Sequence, residues 1–362
     1  VTLTTNRVFA YDRGGQRRID EITSLVSVDW SRVRDDRSTC EIKIADAAPQ
    51  AKLLGLLSTG RHEIVVFRNG ERVWEGPITN IAYEGDGMEI SCQDVTWYLY
   101  KTIMRAKYSS AHPNVETVIK RMARIIRAEL ARKEAIAPGV NVVPHLRTYD
   151  HPDTDAKTAM VTEKYELNVW EHLDNSAAKQ GIDYTTVGRS IIIWDTSRSI
   201  GQTRTLVRTD FLGEPRLTEY GAELTTIAAS TDGKGVYGIS GGVDPFYGEI
   251  ETLFTAYDED SDEERPSQKE LQSQSERNLR GRNPAPVMLR IPDNTQLVLN
   301  ETLRMEHLVP GVHMPLRIAH PVRTFSQMEK LSTVKVREDG DGEKISVTLS
   351  PAAQADEDEG DD

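Results

Sequence analysis

A mainly β chain with an α+β insertion is what this sequence of 362 residues predicts. Three observations carry that expectation. Over the first hundred residues, apolar side chains alternate with polar ones between short turns. Near Asp94 the period changes to that of a helix, and after about Thr203 the strand pattern returns. A period of two gives a strand one apolar face, whereas a stripe at 3.6 residues marks a helix.

The early strands come first. Ile22, Val26, Val28 and Trp30 are placed on one face of a run, and Cys40, Ile42 and Ile44 alternate with Thr39, Glu41 and Lys43. Residues 62–67 are dense in Ile and Val. Arg68-Asn69-Gly70-Glu71 is predicted as a hairpin, because Asn-Gly supplies the positive φ angles of a tight turn. A long return strand spans 72–83. Gly76-Pro77 in it marks an edge or bulge, since Pro donates no ladder hydrogen bond. After the turn at 84–87, Met88, Ile90 and Cys92 alternate with Glu89, Ser91 and Gln93. Strands of this kind between short turns indicate an antiparallel barrel or sandwich.

The middle region changes character. Val115, Val118, Ile119, Met122, Ile125, Ile126 and Leu130 form an apolar stripe, with Asn114 as N-cap and Pro138-Gly139 as stop. Residues 137–164, rich in Pro, Asp and Thr, read as a long excursion. A second helix is expected over 169–179, with Asn168 and Glu171 spaced as a capping box. Residues 183–187 and 191–194 flank Gly188-Arg189 as a hairpin. Beyond Thr203, strands are expected at 223–229, 235–240, 248–257, 287–291, 314–325, 334–338 and 344–349. A helix over 267–280 has Leu271 and Leu279 inward, and 352–362 reads as disordered.

One internal echo stands out. Gly85-Asp86-Gly87-Met88-Glu89-Ile90-Ser91 resembles Gly340-Asp341-Gly342-Glu343-Lys344-Ile345-Ser346. Either two glycine turns coincide, or the chain carries two related barrels split by the middle module.

Composition narrows the function. Aromatic content of 6% and hydrophobic content of 38% suit polar-faced barrels or sandwiches better than one large enzyme core. No run of about 18 apolar residues spans a membrane, and no signal peptide opens the chain. The net charge of −13 is concentrated: 258–264 and 356–362 hold 12 acids, and the remaining 45 face 44 bases. Net charge therefore says nothing about the polarity of any channel. Cys40 and Cys92 are too few for a disulfide framework and read as buried free thiols of a chain that folds in the cytoplasm.

No phosphate loop, zinc-protease motif or nucleophile elbow is found, so no catalytic, cofactor-binding or metal residue is assigned. His62-Glu63 starts like a zinc motif but lacks the second His. His145 and His151 flank an Asp-rich loop (Asp150, Asp153, Asp155) that reads as an ordinary polar loop with a metal site as the alternative. Asp258, Asp260 and Asp262 match the start of a calcium loop, but Glu263 and Lys269 break the pattern. Lys120, Arg121, Arg124 and Arg127 make a basic stripe, read as a solvated helix face, with contact to DNA or an acidic partner as the rival.

The order of elements resembles a known family. The hairpin at Arg68-Asn69-Gly70 leads into Trp74-Glu75-Gly76-Pro77-Ile78. A unit of helix, glycine and hairpin follows: Trp170-Glu171-His172-Leu173, then Gly181-Ile182-Asp183-Tyr184, then Gly188-Arg189 and Ile191. A Tyr247-Gly248 strand, a polar helix ending near Leu279 and Leu308-Val309-Pro310-Gly311 complete the order. Over residues 15–350 this resembles the minor tail proteins of siphophages of actinobacteria, and through them tail hub proteins generally, including those of contractile baseplates and type VI secretion spikes.

The resemblance implies two β-barrel tube domains plus a small α+β module. The boundaries are 1–104 for the first barrel, 105–202 for the module, 203–351 for the second barrel with its acidic loop and inserted helix 267–280, and 352–362 for the tail. It also implies a homotrimer forming a pseudo-sixfold ring at the virion tail tip. The ring would join the hexameric distal tail protein to a tail fibre or other minor tail proteins and enclose a channel for tape measure protein and DNA in transit. Three barrel pairs around one axis present six similar units. A wall that must release DNA should be acidic or neutral, because phosphate contacts with Lys and Arg dominate affinity. The chain inserts in no membrane and, ending after its last predicted strand, leaves receptor binding and wall digestion to neighbours. The expectation is a structural hub and not an enzyme. Its rivals are a tail-tip cell-wall hydrolase, a carbohydrate-binding host-recognition module and the hub of a contractile machine.

Overall fold

The computed structural model describes residues 5–15, 17–109, 116–136, 145–149, 161–213, 216–219, 224–255, 266–280, 287–290, 296–322 and 324–352. Asn114, Pro138-Gly139, the Asp150–Asp155 loop with His151, the acidic run 258–264 and the tail 353–362 lie outside them. The chain divides into two compact units. One comprises Val1–Arg204, Gln296–His313 and Leu331–Thr348; the other comprises Thr205–Thr295, Met314–Lys330 and Leu349–Asp362.

The first unit is built on one large antiparallel sheet. Its strands are β1 (Asn6–Tyr11), β2 (Arg18–Ile22), β3 (Leu25–Val33), β4 (Thr39–Ile44), β5 (Glu63–Arg68), β6 (Glu71–Glu84) and β7 (Gly87–Gln93). The order is β2-β1-β5-β6-β7-β4-β3. The expected tight turn joins β5 to β6, with Asn69 at φ 49° and Gly70 at φ 88°. The alternations in β4 and β7 fold as expected: Cys40, Ile42, Ile44, Met88, Ile90 and Cys92 are all buried.

Two irregularities alter the simple pattern. A bulge between Leu25 and Ser27 shifts the register against β4. It turns Leu25 inward and leaves Val26 39% exposed, so the expected face Ile22–Val26–Val28–Trp30 is broken at Val26. The second lies in β6, which changes partner at Gly76-Pro77. Gly76 and Pro77 oppose Ile64 and Glu63 of β5, and Ile78 already opposes Cys92 of β7. A Cβ on Gly76 would lie 1.8 Å from the carbonyl oxygen of Gln93, so only glycine lets the backbones approach there.

The sheet continues from β3 into the strand Thr324–Asp339, whose residues Thr333–Glu338 pair with Val28–Val33. That strand neighbours Gly342–Pro351. Among the described residues the hydrogen-bonded path is open, and the expected pair of closed barrels is not seen. Side chains bridge part of the gap. Glu338 accepts from the backbone N–H of Thr5 and Asn6 at 3.0 and 2.7 Å, and Arg68 of β5 pairs with Glu343 at 2.6 Å. Asn6 and Glu338 are each 1% exposed, so this seam is internal.

The echoed turns differ in geometry. The first glycine, Gly85, takes the positive φ in the first turn, and the second glycine, Gly342, takes it in the second. The shared letters therefore build two different turns.

The α+β module belongs to the same unit. It contains β8 (Tyr108–Ser109), β9 (His145–Tyr149), β10 (Val161–Thr162), β11 (Ile182–Val187) and β12 (Ser190–Asp195), with helices Val118–Ile136 and Val169–Gln180. Strand β12 pairs antiparallel with β11 and parallel with β9. The capping box forms: Asn168 Oδ1 accepts from Glu171 N at 2.8 Å, and Glu171 answers the Asn168 N–H. Gly181 ends the helix in the left-handed region at φ 68°. Ile119, Met122, Ile125 and Ile126 of the long helix pack with Leu173, Tyr184 and Ile193 in one apolar core.

The second unit holds a three-stranded sheet with Ile227–Thr231 between Tyr237–Gly241 and Glu251–Thr255. Helix Gln268–Arg280 covers one face. Small residues permit close contact: a Cβ on Gly238 would meet Gln272 N at 2.2 Å. Ser275 donates to Gly238 O at 2.7 Å and accepts from Ser230 N at 2.9 Å. Leu271 is fully buried as expected, whereas Leu279 is only half-buried and Ser275 takes the inward role.

Candidate assembly surfaces

Charge is handled differently in the interior and on the surface, and the interior comes first. The Gly188-Arg189 turn carries Arg189 onto β5 and β6. Its Nη1 donates to Glu63 Oε2 at 2.6 Å and lies 3.6 Å from Glu75 Oε2. Glu63 Oε1 accepts from Gly14 N at 2.8 Å and from the Tyr98 hydroxyl at 2.5 Å. Arg72 donates to Glu75 at 2.9 Å. Both carboxylates are sealed, at 0% and 3% exposure. Burial pushes the Glu75 carboxyl up, against the pull of Arg72 and Arg189. Burial, then the charge of Glu63, pushes the Tyr98 hydroxyl up. This clamp ties four segments together: the 12–15 loop, the β5–β6 hairpin, the helix Thr96–Tyr100 and the module's hairpin.

Asp94 makes a second tie. Its carboxylate accepts from Ser38 N at 2.8 Å, Thr186 Oγ1 at 2.7 Å and Thr96 N at 2.9 Å. Burial raises its pKa, opposed by the hydrogen bonds from Thr96, Thr186 and Ser38. Sequence spacing did not reveal either tie, because the partners that join separate segments are 35 to 126 residues apart. The one local hint was an arginine at the tip of the module's hairpin, in the Gly188-Arg189 turn.

Residues singled out in the sequence fall as follows. His62 Nδ1 accepts from Ser58 N at 2.9 Å, which makes it a turn residue, and burial lowers its pKa. The basic stripe is not one face. Arg121 is buried, donating to Thr162 at 2.9 Å beside His172, and Arg124 pairs with Glu116 at 2.8 Å. Lys120 and Arg127 are exposed. His172 is held down at about 4 by burial and by Arg121. Cys40 and Cys92 face each other across β4 and β7, buried and free, their thiols pushed up by burial. Among the described residues no cluster of three or more His, Cys, Asp or Glu could hold a metal. No helix there is long and apolar enough to cross a membrane.

The surface shows the opposite chemistry. On the uncovered face of the second unit's sheet, Ile239 and Leu253 flank Ala229 in register. They are 58% and 62% exposed. Gln272 caps the outer edge by accepting from Ile239 N and donating to Ile239 O at 2.8 Å, an amide standing in for a neighbouring strand. The connection between the outer strands is a built turn. Asp244 and Gly248 exchange backbone hydrogen bonds at 2.8 Å, and Asp244 Oδ1 accepts from the N–H groups of Phe246 and Tyr247. Phe246 stands at its tip, 87% exposed. Asp-Pro-Phe-Tyr-Gly is a recognisable turn sequence, but nothing in it says that the Phe points outward.

The first unit offers a concave counterpart. Tyr100, Lys101, Ile103, Tyr165, Glu166 and Leu167 line a shallow groove. Tyr165 sits at φ 64°, an uncommon angle for a residue with a Cβ. Its N–H donates to Met104 O at 2.7 Å, and its ring is 63% exposed. Three cations lie on the rings nearby: Lys101 4.7 Å and Arg37 5.0 Å from the Tyr100 centroid, and Lys164 5.9 Å from that of Tyr165.

Comparison with solved structures places this fold among phage tail proteins. The 43 kDa tail protein of prophage MuSo2 from Shewanella oneidensis superimposes with a TM-score of 0.61 at 10% identity, over 96% of this chain and 98% of that one. A prophage tail protein, gp18, from Listeria monocytogenes gives 0.56 at 10% identity, over 94% of each chain. A tail protein from Neisseria meningitidis gives 0.52 at 12% identity, over 96% of each. No protein-family model matches the sequence, and no curated protein matches it.

Proposed function

We propose that this chain is a structural hub of a phage-type tail, working by assembly and not as an enzyme. The observation that carries the reading is end-to-end: a fold shared with two prophage tail proteins and a third tail protein over at least 94% of this chain and of each of theirs. In this reading three copies form a pseudo-sixfold ring at the tail tip. The ring joins a hexameric tube or distal tail protein to threefold fibre or spike proteins, and tape measure protein and DNA pass through it. The echoed turns are built differently, so the pseudo-sixfold part of this reading rests on the proposal and not on the sequence echo.

The surfaces support an assembly role. Buried ties make the first unit stiff, and exposed apolar side chains on both units are what an oligomer covers. The channel wall in this ring is neutral or acidic, so DNA is not retained. The test is localisation with mass. Gold-labelled antibody should mark the distal end of purified tails, and the chain alone should show a threefold mass at high concentration. Label along the shaft or on the head would refute the hub. Release of soluble peptidoglycan by the pure chain would favour a wall hydrolase instead.

A further inference from the structure

The reading above requires a seam between neighbouring copies, and the following inference rests on it. A closed ring with three members uses a heterologous contact, in which two different patches of the same chain meet. This chain displays such a pair, one convex and one concave. The convex patch is the Asp244–Gly248 turn, which holds the Phe246 ring out at 87% exposure with Val243 beside it at 70%. The concave patch is the groove walled by Tyr100, Ile103, Tyr165 and Leu167.

We propose that Phe246 of one copy seats in the Tyr100–Tyr165 groove of the next. Three observations favour a second copy as the occupant. The first is chemical fit. An aromatic knob meets an aromatic wall, where offset and edge-to-face packing add to simple burial. The second is charge. Residues 235–255 carry Asp244, Glu249 and Glu251 and no Lys or Arg. The groove carries Lys101, Lys164 and Arg37 over its rings against Glu166. The acidic knob therefore approaches a basic rim, and charges of opposite sign set the register of the contact. The third is construction. Both patches are braced by backbone hydrogen bonds, the knob by Asp244 and the groove by Tyr165 N to Met104 O. The Tyr165 ring is held outward at an unfavourable backbone angle, and such strain is retained where a site requires it.

The test uses two single-cysteine variants of the full chain, F246C and Y165C. Cys40 and Cys92 are buried and add little background. Each variant alone, and an equal mixture of the two, is treated with a short bismaleimide and resolved by denaturing electrophoresis. The mass of untreated protein is measured in parallel. The expected result is covalent dimer in the mixture and none in either separate pool. A separate variant, F246D, should raise the half-assembly concentration by roughly thirtyfold. Its melting temperature should not change, because Phe246 has little to lose in the folded monomer. Dimer in the F246C pool alone would overturn the proposal, because the knob would then meet its own copy. A trimer without cross-link in the mixture would remove this seam and leave the ring standing. A chain that stays monomeric and uncross-linked at high concentration removes both.

Discussion

The buried clamp of the first unit and the open sheet face of the second use polar and apolar residues in opposite ways. The first hides carboxyl groups: Glu63, Glu75 and Asp94 are all buried, each against partners drawn from other segments. The second displays apolar groups: Ile239, Val243, Phe246 and Leu253 are each more than half exposed. Buried charge requires an accurate geometry to offset desolvation, so it makes a segment adopt one arrangement or none. Exposed apolar surface is neutral to the lone chain and becomes favourable when a partner removes it from water. In the proposed hub, this contrast divides the labour between a frame tied by buried polar groups and a face that assembly covers.

The frame can be broken directly. Arg189→Ala leaves two buried carboxylates facing each other and should cost about 3–5 kcal/mol, read as a lowered denaturant midpoint. A loss below about 1 kcal/mol would mean that the clamp is incidental. In the second unit the sharpest probe is pH. Glu329 is 1% exposed, and burial pushes its carboxyl up to about 8 from 4.5. The folded state therefore binds more protons than the unfolded state between those values. The contribution is fully present below pH 4.5 and is lost as pH rises towards about 8. Glu329→Gln should flatten that slope and raise stability at pH 9 relative to wild type. An unchanged pH profile would show that the group is solvated. A smaller effect belongs to the capping box, where Asn168→Ala should cost about 1 kcal/mol by thermal melting and leave assembly unaltered. The smallest change is kinetic. Cys40 and Cys92 should resist a maleimide reagent in native protein and react together on unfolding, and rapid native labelling would place the β4–β7 pair at a breathing edge.

Much of the frame was legible in the sequence, and the reasons are local. The Asn69-Gly70 turn, the alternations of β4 and β7, the Asn168–Glu171 box and the stripe of the long helix all follow from neighbours within a few residues. Val26 departs from the expected face because the bulge inserts one extra residue before the alternation resumes at Val28 and Trp30, and nothing at Leu25–Ser27 announces it. Arg121 was read as solvated because a helix wheel cannot show that Thr162 and His172 come to cover it. The long strand expected over 314–325 ends instead at Ala319, before His320-Pro321. The surfaces were least legible. Phe246 and Tyr165 look like core aromatics by type, and only their turns push them out.

The central claim is threefold assembly on the tail axis. Cryo-electron microscopy of the intact particle, reconstructed without imposed symmetry at the tail tip, tests it most directly. The account predicts three copies around the axis, each placing two β-modules in a ring that faces the tube. Density with one or six copies, or with this chain off the axis, would contradict it.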